Sequence, residues 1–143
     1  MLEAGQSTST WAWQSWAPNW TNFTVGNGTV VAKYIQIGKT VHFKIKVTLG
    51  STSSVSGAIT FSLPTDSHAD YGTSGFNIGV SRMNDTGTSS YPGEVTILTA
   101  STAKIFPTVA GGTYTSNSDT SSTVPYTWVA TDIFTAVGTY EAT

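Results

Sequence analysis

Residues Val41 to Leu49 read VHFKIKVTL, with Val41, Phe43, Ile45, Val47 and Leu49 alternating strictly with His42, Lys44, Lys46 and Thr48. Successive side chains of a strand point to opposite faces, so this pattern predicts a half-buried β-strand with one dry face and one wet, weakly basic face. A chain of 143 residues fits one domain large enough to bury a real core, and a strand of this kind needs a sheet to bury it.

The same alternation recurs along the chain. Strands are expected at Trp20–Val25, Thr29–Ile37, Val41–Leu49, Ile59–Leu63, Phe76–Arg82, Glu94–Thr99, Ala103–Val109 and Ile133–Glu141. Gly26-Asn27-Gly28 and Gly38-Lys39 supply tight turns, because Gly and Asn tolerate positive φ. Residues 50–56, Thr65–Ser74, Asn84–Gly93 and Gly111–Pro125 read as polar loops, and residues 1–10 as a solvated lead-in or stalk remnant before a single domain over 11–143. Phe76, Ile78 and Val80 are expected on one face. In the last strand Ile133 and Val137 fall on one face and Phe134, Ala136 and Tyr140 on the other, which suits a central strand or one covered by a partner subunit. No helical period of any length is present. The expected fold class is all-β, a jelly-roll-like antiparallel β-sandwich.

Composition narrows the function classes. With 26 Thr and 18 Ser the polar surface is mostly hydroxyl, as in extracytoplasmic or virion-type surfaces. The absence of Cys excludes disulfides, thiolate zinc sites and cysteine nucleophiles. A net charge of -2 with few ionisable groups gives no overall footprint for nucleic acid or an anionic membrane, so neither is expected as a partner. No apolar run reaches the ~20 residues of a membrane span, and MLEAGQSTST has no signal-peptide core.

The run WTNFTVGNGTVVAKYIQIGKTVHFKIKVTLGSTSSVSGAITFSLP, Trp20 to Pro64, and the ending YTWVATDIFTAVGTYEA resemble the C-terminal domains of minor tail and tail-fibre proteins from siphophages of actinobacterial and other Gram-positive hosts. The resemblance is strong in the first half and at the C-terminus and fades between Thr65 and Pro125. It implies a trimeric head similar in layout to the C1q and tumour-necrosis-factor jelly rolls, carried on an N-terminal stalk or other tail proteins. The implied role is a receptor-binding protein that attaches the virion to host cell-surface polysaccharide, in an extracellular setting. A purely structural trimerisation cap is the alternative role.

Four constellations carry candidate chemistry. Trp11, Trp13, Trp16 and Trp20 would either stack on sugar rings or seal the sandwich or a subunit contact, the second being preferred because each ring buries ~150–250 Å². The loop Asp66, His68, Asp70, Tyr71 has residue types that can hold a metal or perform acid-base chemistry, but turn formation explains it better, and no metal or other cofactor is expected. Arg82, Asn84 and Asp85 with Tyr91, and the loop Tyr114 to Asp119, combine guanidinium, amide, carboxylate and aromatic groups, the kit for gripping a saccharide. Together with Asp70 and Tyr71 they form the expected receptor face. The row His42, Lys44, Lys46 would attract anionic wall polymers such as teichoic acid or protect a sheet edge, and edge protection or plain solvation is preferred. Catalysis is not expected: the scattered carboxylates form no signature pair, no G-x-S-x-G elbow is present, and Gly26-Asn27-Gly28 lacks the Lys and helix of a phosphate loop.

Overall fold

A computed structural model describes residues 12–73 and 75–143. The expected lead-in over residues 1–10, and Trp11, lie outside the described residues. The fold is all-β and antiparallel, with ten strands among the described residues: β1 (Gln14–Ser15), β2 (Trp20–Thr24), β3 (Thr29–Ile37), β4 (Thr40–Thr48), β5 (Ser54–Ser62), β6 (Asn77–Asp85), β7 (Ser89–Thr99), β8 (Thr102–Gly111), β9 (Tyr114–Asn117) and β10 (Ile133–Glu141). One 3-10 turn, Ala69–Tyr71, is the described residues' single helical element, and none of their helices is long and apolar enough to cross a membrane.

The strand order is β1-β3-β4-β10-β6-β7-β8-β5-β2, with β9 added to β8. This sheet curls over its own inner face into a sandwich-like, jelly-roll-like half-barrel. Its two ends are joined by the short segment between β1 and β2. Trp16 donates its backbone N–H to Ala32 on β3 (3.2 Å) and its indole N–H to the Ser62 carbonyl on β5 (3.2 Å). Asn19 exchanges two further hydrogen bonds with Ser62.

The core follows the alternation. Val41, Phe43, Ile45, Val47 and Leu49 are all buried, while Lys44 and Lys46 are exposed. A run of ring contacts crosses the interior from Tyr91 through Tyr126, Trp128 and Phe134 to Trp20, Phe61, Phe43, Trp16 and Tyr34. Aromatic burial at this density supplies much of the apolar area that a sheet without helices must hide. Trp16 and Trp20 therefore seal the sheet, and Trp13 stays outside, 45% exposed, with the Lys44 ammonium 4.4 Å from its ring centre.

Four expectations need correction. Asn84–Gly93 is not a loop: β6 and β7 run on to a tight turn at Thr86-Gly87-Thr88, where Gly87 takes φ 85° and Thr88 donates to the Asp85 carbonyl at 2.9 Å. Gly111–Pro125 contains β9, reached through a turn with Gly112 at φ 77°. The GSTSSVS loop ends early, since β5 starts at Ser54. Phe76, Ile78 and Val80 do not share a face. A bulge between Asn77 and Gly79 shifts the register, so Ile78 is buried while Phe76 and Val80 are 53% and 59% exposed. The expectation for β10 holds: it lies between β4 and β6, with Phe134, Ala136 and Tyr140 inward and Val137 outward.

Candidate functional site: the outer sheet face and its groove

Placing β10 between β4 and β6 decides what the outer face looks like. Direct cross-strand partners form two adjacent rows. One reads Lys33–Lys44–Val137–Val80–Glu94, the other Val31–Lys46–Thr135–Arg82–Pro92. His42 stands in the next row, between Ile35 and Thr139. Lys33, Lys44, Lys46 and Arg82 are four of the chain's six cationic Lys and Arg residues. β4 has a neighbour on each side, so edge protection does not apply to His42, Lys44 and Lys46: there is no open edge here to guard, whereas the exposure of Lys44 and Lys46 agrees with the other preferred reading, solvation.

At one side of this face lies an open groove of about 420 Å³ lined by Val80, Ser81, Arg82, Ser90 and Pro92. Its polar wall is a relay in which Arg82 Nε–H donates to Ser90 Oγ at 3.3 Å and Ser90 Oγ–H donates to Asn84 Oδ1 at 2.6 Å. Val80 and Pro92 give the groove an apolar side. Guanidinium and hydroxyl groups beside aliphatic surface are the usual means of orienting a polar ligand in a shallow cleft.

The other expected site residues are dispersed. Asp85 closes the β6–β7 hairpin and is half-buried. Tyr91 points into the core side, its ring 5.7 Å from that of Tyr126, so it packs instead of presenting a recognition surface. Tyr71 and Asp70 sit at the far end of β10. The Tyr71 hydroxyl accepts the Glu141 backbone N–H at 2.7 Å and its ring meets Phe76 edge-on at 4.8 Å. Asp70 belongs to the 3-10 turn, with its backbone N–H 3.3 Å and its carboxylate 3.2 Å from His68 Nδ1. These two contacts alternate with the ring's proton: a bare Nδ1 accepts the N–H, and a protonated one donates to the carboxylate. Tyr114, 80% exposed, marks the β8–β9 hairpin.

Since Asn84 pairs with Ile133 and Tyr71 holds Glu141, the two groups stand at opposite ends of β10, about 27 Å apart along a strand of this length. Arg82 and Asn84 are brought together, whereas Asp70, Tyr71 and Tyr114 are not part of that groove. Missed by the sequence reading were Ser90, which links Arg82 to Asn84, and Lys33, which faces Lys44. The second was detectable, because a two-residue turn at Gly38-Lys39 sets the register of the flanking strands and makes these two lysines partners.

Among the described residues no three His, Asp or Glu converge to hold a metal ion. Buried Asp132 serves the fold, because its carboxylate accepts the backbone N–H groups of Thr86 (3.1 Å) and Val129 (2.8 Å) and so ties the approach to β10 to the β6–β7 turn. No family model, curated protein or solved structure matches this chain.

Proposed function

We propose that this chain is a non-catalytic attachment domain, the receptor-binding head of a phage tail-tip or tail-fibre protein that holds host cell-surface glycan. The observation that carries the reading is the groove between β6 and β7, where the Arg82–Ser90–Asn84 relay lies against Val80 and Pro92. Polar forks beside aliphatic surface suit sugar hydroxyls and ring faces, and an open groove suits an extended chain better than a small metabolite. Weak single sites would be multiplied by avidity if the head works as a homotrimer on a virion, outside the cell.

A structural trimerisation cap is the second reading. Exposed Phe76 and Leu98 favour it, since they flank the same stretch of β7 and offer apolar area to a sister copy. One experiment separates the two. Labelled protein is incubated with a panel of actinobacterial and other Gram-positive cells, and its oligomeric state is measured by ultracentrifugation. Saturable cell binding that weakens in Arg82→Ala supports attachment. A trimer that ignores every cell type defeats attachment and leaves the cap, and a compact monomer defeats the cap.

A further inference from the structure

We infer that the outer face of β3, β4, β10 and β6 is a binding surface for a polyanionic glycan, a sugar or polyol polymer carrying phosphodiester groups. The inference rests on the attachment reading for its biological setting. Lys33 and Lys44 are direct cross-strand partners, and Lys46 stands diagonally to Lys33 on the same side of β4. Like charges directly opposed in a sheet destabilise it. The chain nevertheless keeps this pair together although its net charge is -2 and it has only six Lys and Arg.

Among the described residues no carboxylate relieves the cluster. Residues 12–65, which contain β1 to β5, include Lys33, Lys39, Lys44 and Lys46 but no Asp or Glu. The acids sharing this face are peripheral. Glu94 lies three strands from Lys44 and already accepts a hydrogen bond from Asn117 Nδ2 at 3.0 Å; Glu141 pairs with Thr40 at the end of the sheet. Two of the three lysines are held in position from the β1 side, Lys33 by Ser15 Oγ at 2.7 Å and Lys44 by the Trp13 ring. Lys46 and Arg82 sit in one row with Thr135 between them, which carries the positive surface across β10 to the groove.

The spacing fits a flexible chain with repeated negative charge. Cationic groups recur about 5 Å across the Lys33–Lys44 pair, about 7 Å along β4, and about 10 Å from Lys46 to Arg82 over two strand intervals. Exposed Val31, Val80 and Val137 between them match the apolar parts of a sugar or polyol. Nucleic acid is a poorer fit. Its single strands need aromatic platforms for the bases, and Trp13, the aromatic group beside the cluster among the described residues, is engaged by Lys44.

The test uses the intact chain and three probes: an oligomer of glycerol phosphate, neutral dextran and oligothymidylate, each titrated at 50 and 200 mM salt. The expected result is binding to the glycerol-phosphate oligomer alone, weakening steeply with salt. The double variant Lys44→Gln/Lys46→Gln should lose about tenfold or more in affinity, while Lys39→Gln, on the hairpin turn, should lose little. Because relief of the Lys33–Lys44 repulsion is intrinsic to the argument, Lys44→Gln should also melt no lower than the parent chain at low salt. No binding to the oligomer, equal loss in the Lys39 variant, or equal affinity for oligothymidylate would overturn the inference. If the double variant still binds cells as the parent does, this surface fails and attachment stands. If the oligomer binds but no cell type does, attachment fails and the surface stands.

Discussion

The phenyl ring of Phe43 and the carbonyl of Ile78 on β6 occupy the space that a side chain on Gly138, the cross-strand partner of Phe43, would fill: a β-carbon there would stand 2.7 Å from ring atoms Cε1 and Cζ and 2.6 Å from the Ile78 oxygen. β10 can lie against β4 with its inner face packed because this position has no side chain. The same close approach lets Phe43 meet Phe61 and Tyr140, with ring centres 6.0 and 6.2 Å away.

Gly138→Ala should therefore destabilise the fold by about 1–3 kcal/mol through overpacking. Phe43→Ala, a cavity mutation at a residue only 2% exposed, should cost ~3–5 kcal/mol. Combined with Phe43→Leu, Gly138→Ala should cost less than it does alone. Urea denaturation of the two single variants and the double would show this non-additivity, and strict additivity would mean that the ring does not limit the glycine.

Asp132→Ala should lower stability by about 1.5–3 kcal/mol, since it removes a charged acceptor from the N–H groups of Thr86 and Val129. Asp132→Asn keeps one carbonyl oxygen and should lose less. Hydrogen exchange gives a local readout: both amides should lose protection in the Ala variant before the strands do.

The two buried tyrosines should respond oppositely to loss of their hydroxyls. Tyr140 donates to the Thr65 carbonyl at 2.6 Å and receives the Thr65 N–H at 3.3 Å, so Tyr140→Phe strands both groups and should cost about 1–3 kcal/mol. The buried Tyr126 hydroxyl has no hydrogen-bond partner among the described residues, so Tyr126→Phe should be neutral or stabilising. Thermal melts of both variants decide the matter.

Alkaline pH tests the same pair. Desolvation by burial pushes both phenols well above the ordinary value near 10, with Asp132 and then Asp85 adding to the effect at Tyr126. The folded state thus holds these protons more tightly than the unfolded chain. Their contribution is constant below about pH 10 and is lost as pH rises beyond it, when unfolded tyrosines ionise. The melting midpoint should fall above that pH, and less steeply in Tyr126→Phe and Tyr140→Phe.

Tyr91 illustrates the limit of reading chemistry from residue type. As a recognition residue it would tolerate removal without loss of fold, but its ring packs on Tyr126. Tyr91→Ala is expected to lower the melting temperature measurably, and any loss of binding should follow that loss of fold.

Local pattern made most strands legible, because side chains on a pleated chain alternate between two faces whatever the strand's neighbours are. The dry face of residues 41–49, the hairpin turn at Gly38-Lys39 and even the Lys33–Lys44 pairing follow from adjacent residues alone. Bulges and tight turns were less legible: the shift near Ile78, after which Val80 faces outward, depends on how β6 meets β7. Strand order was decided only by tertiary structure. Inserting β10 between β4 and β6 brings Lys46 and Arg82, 36 positions apart in the chain, into one row, and it turns a strand that looked like an edge into an interior one. That choice belongs to the packing of the whole aromatic core, whose energy no single segment carries.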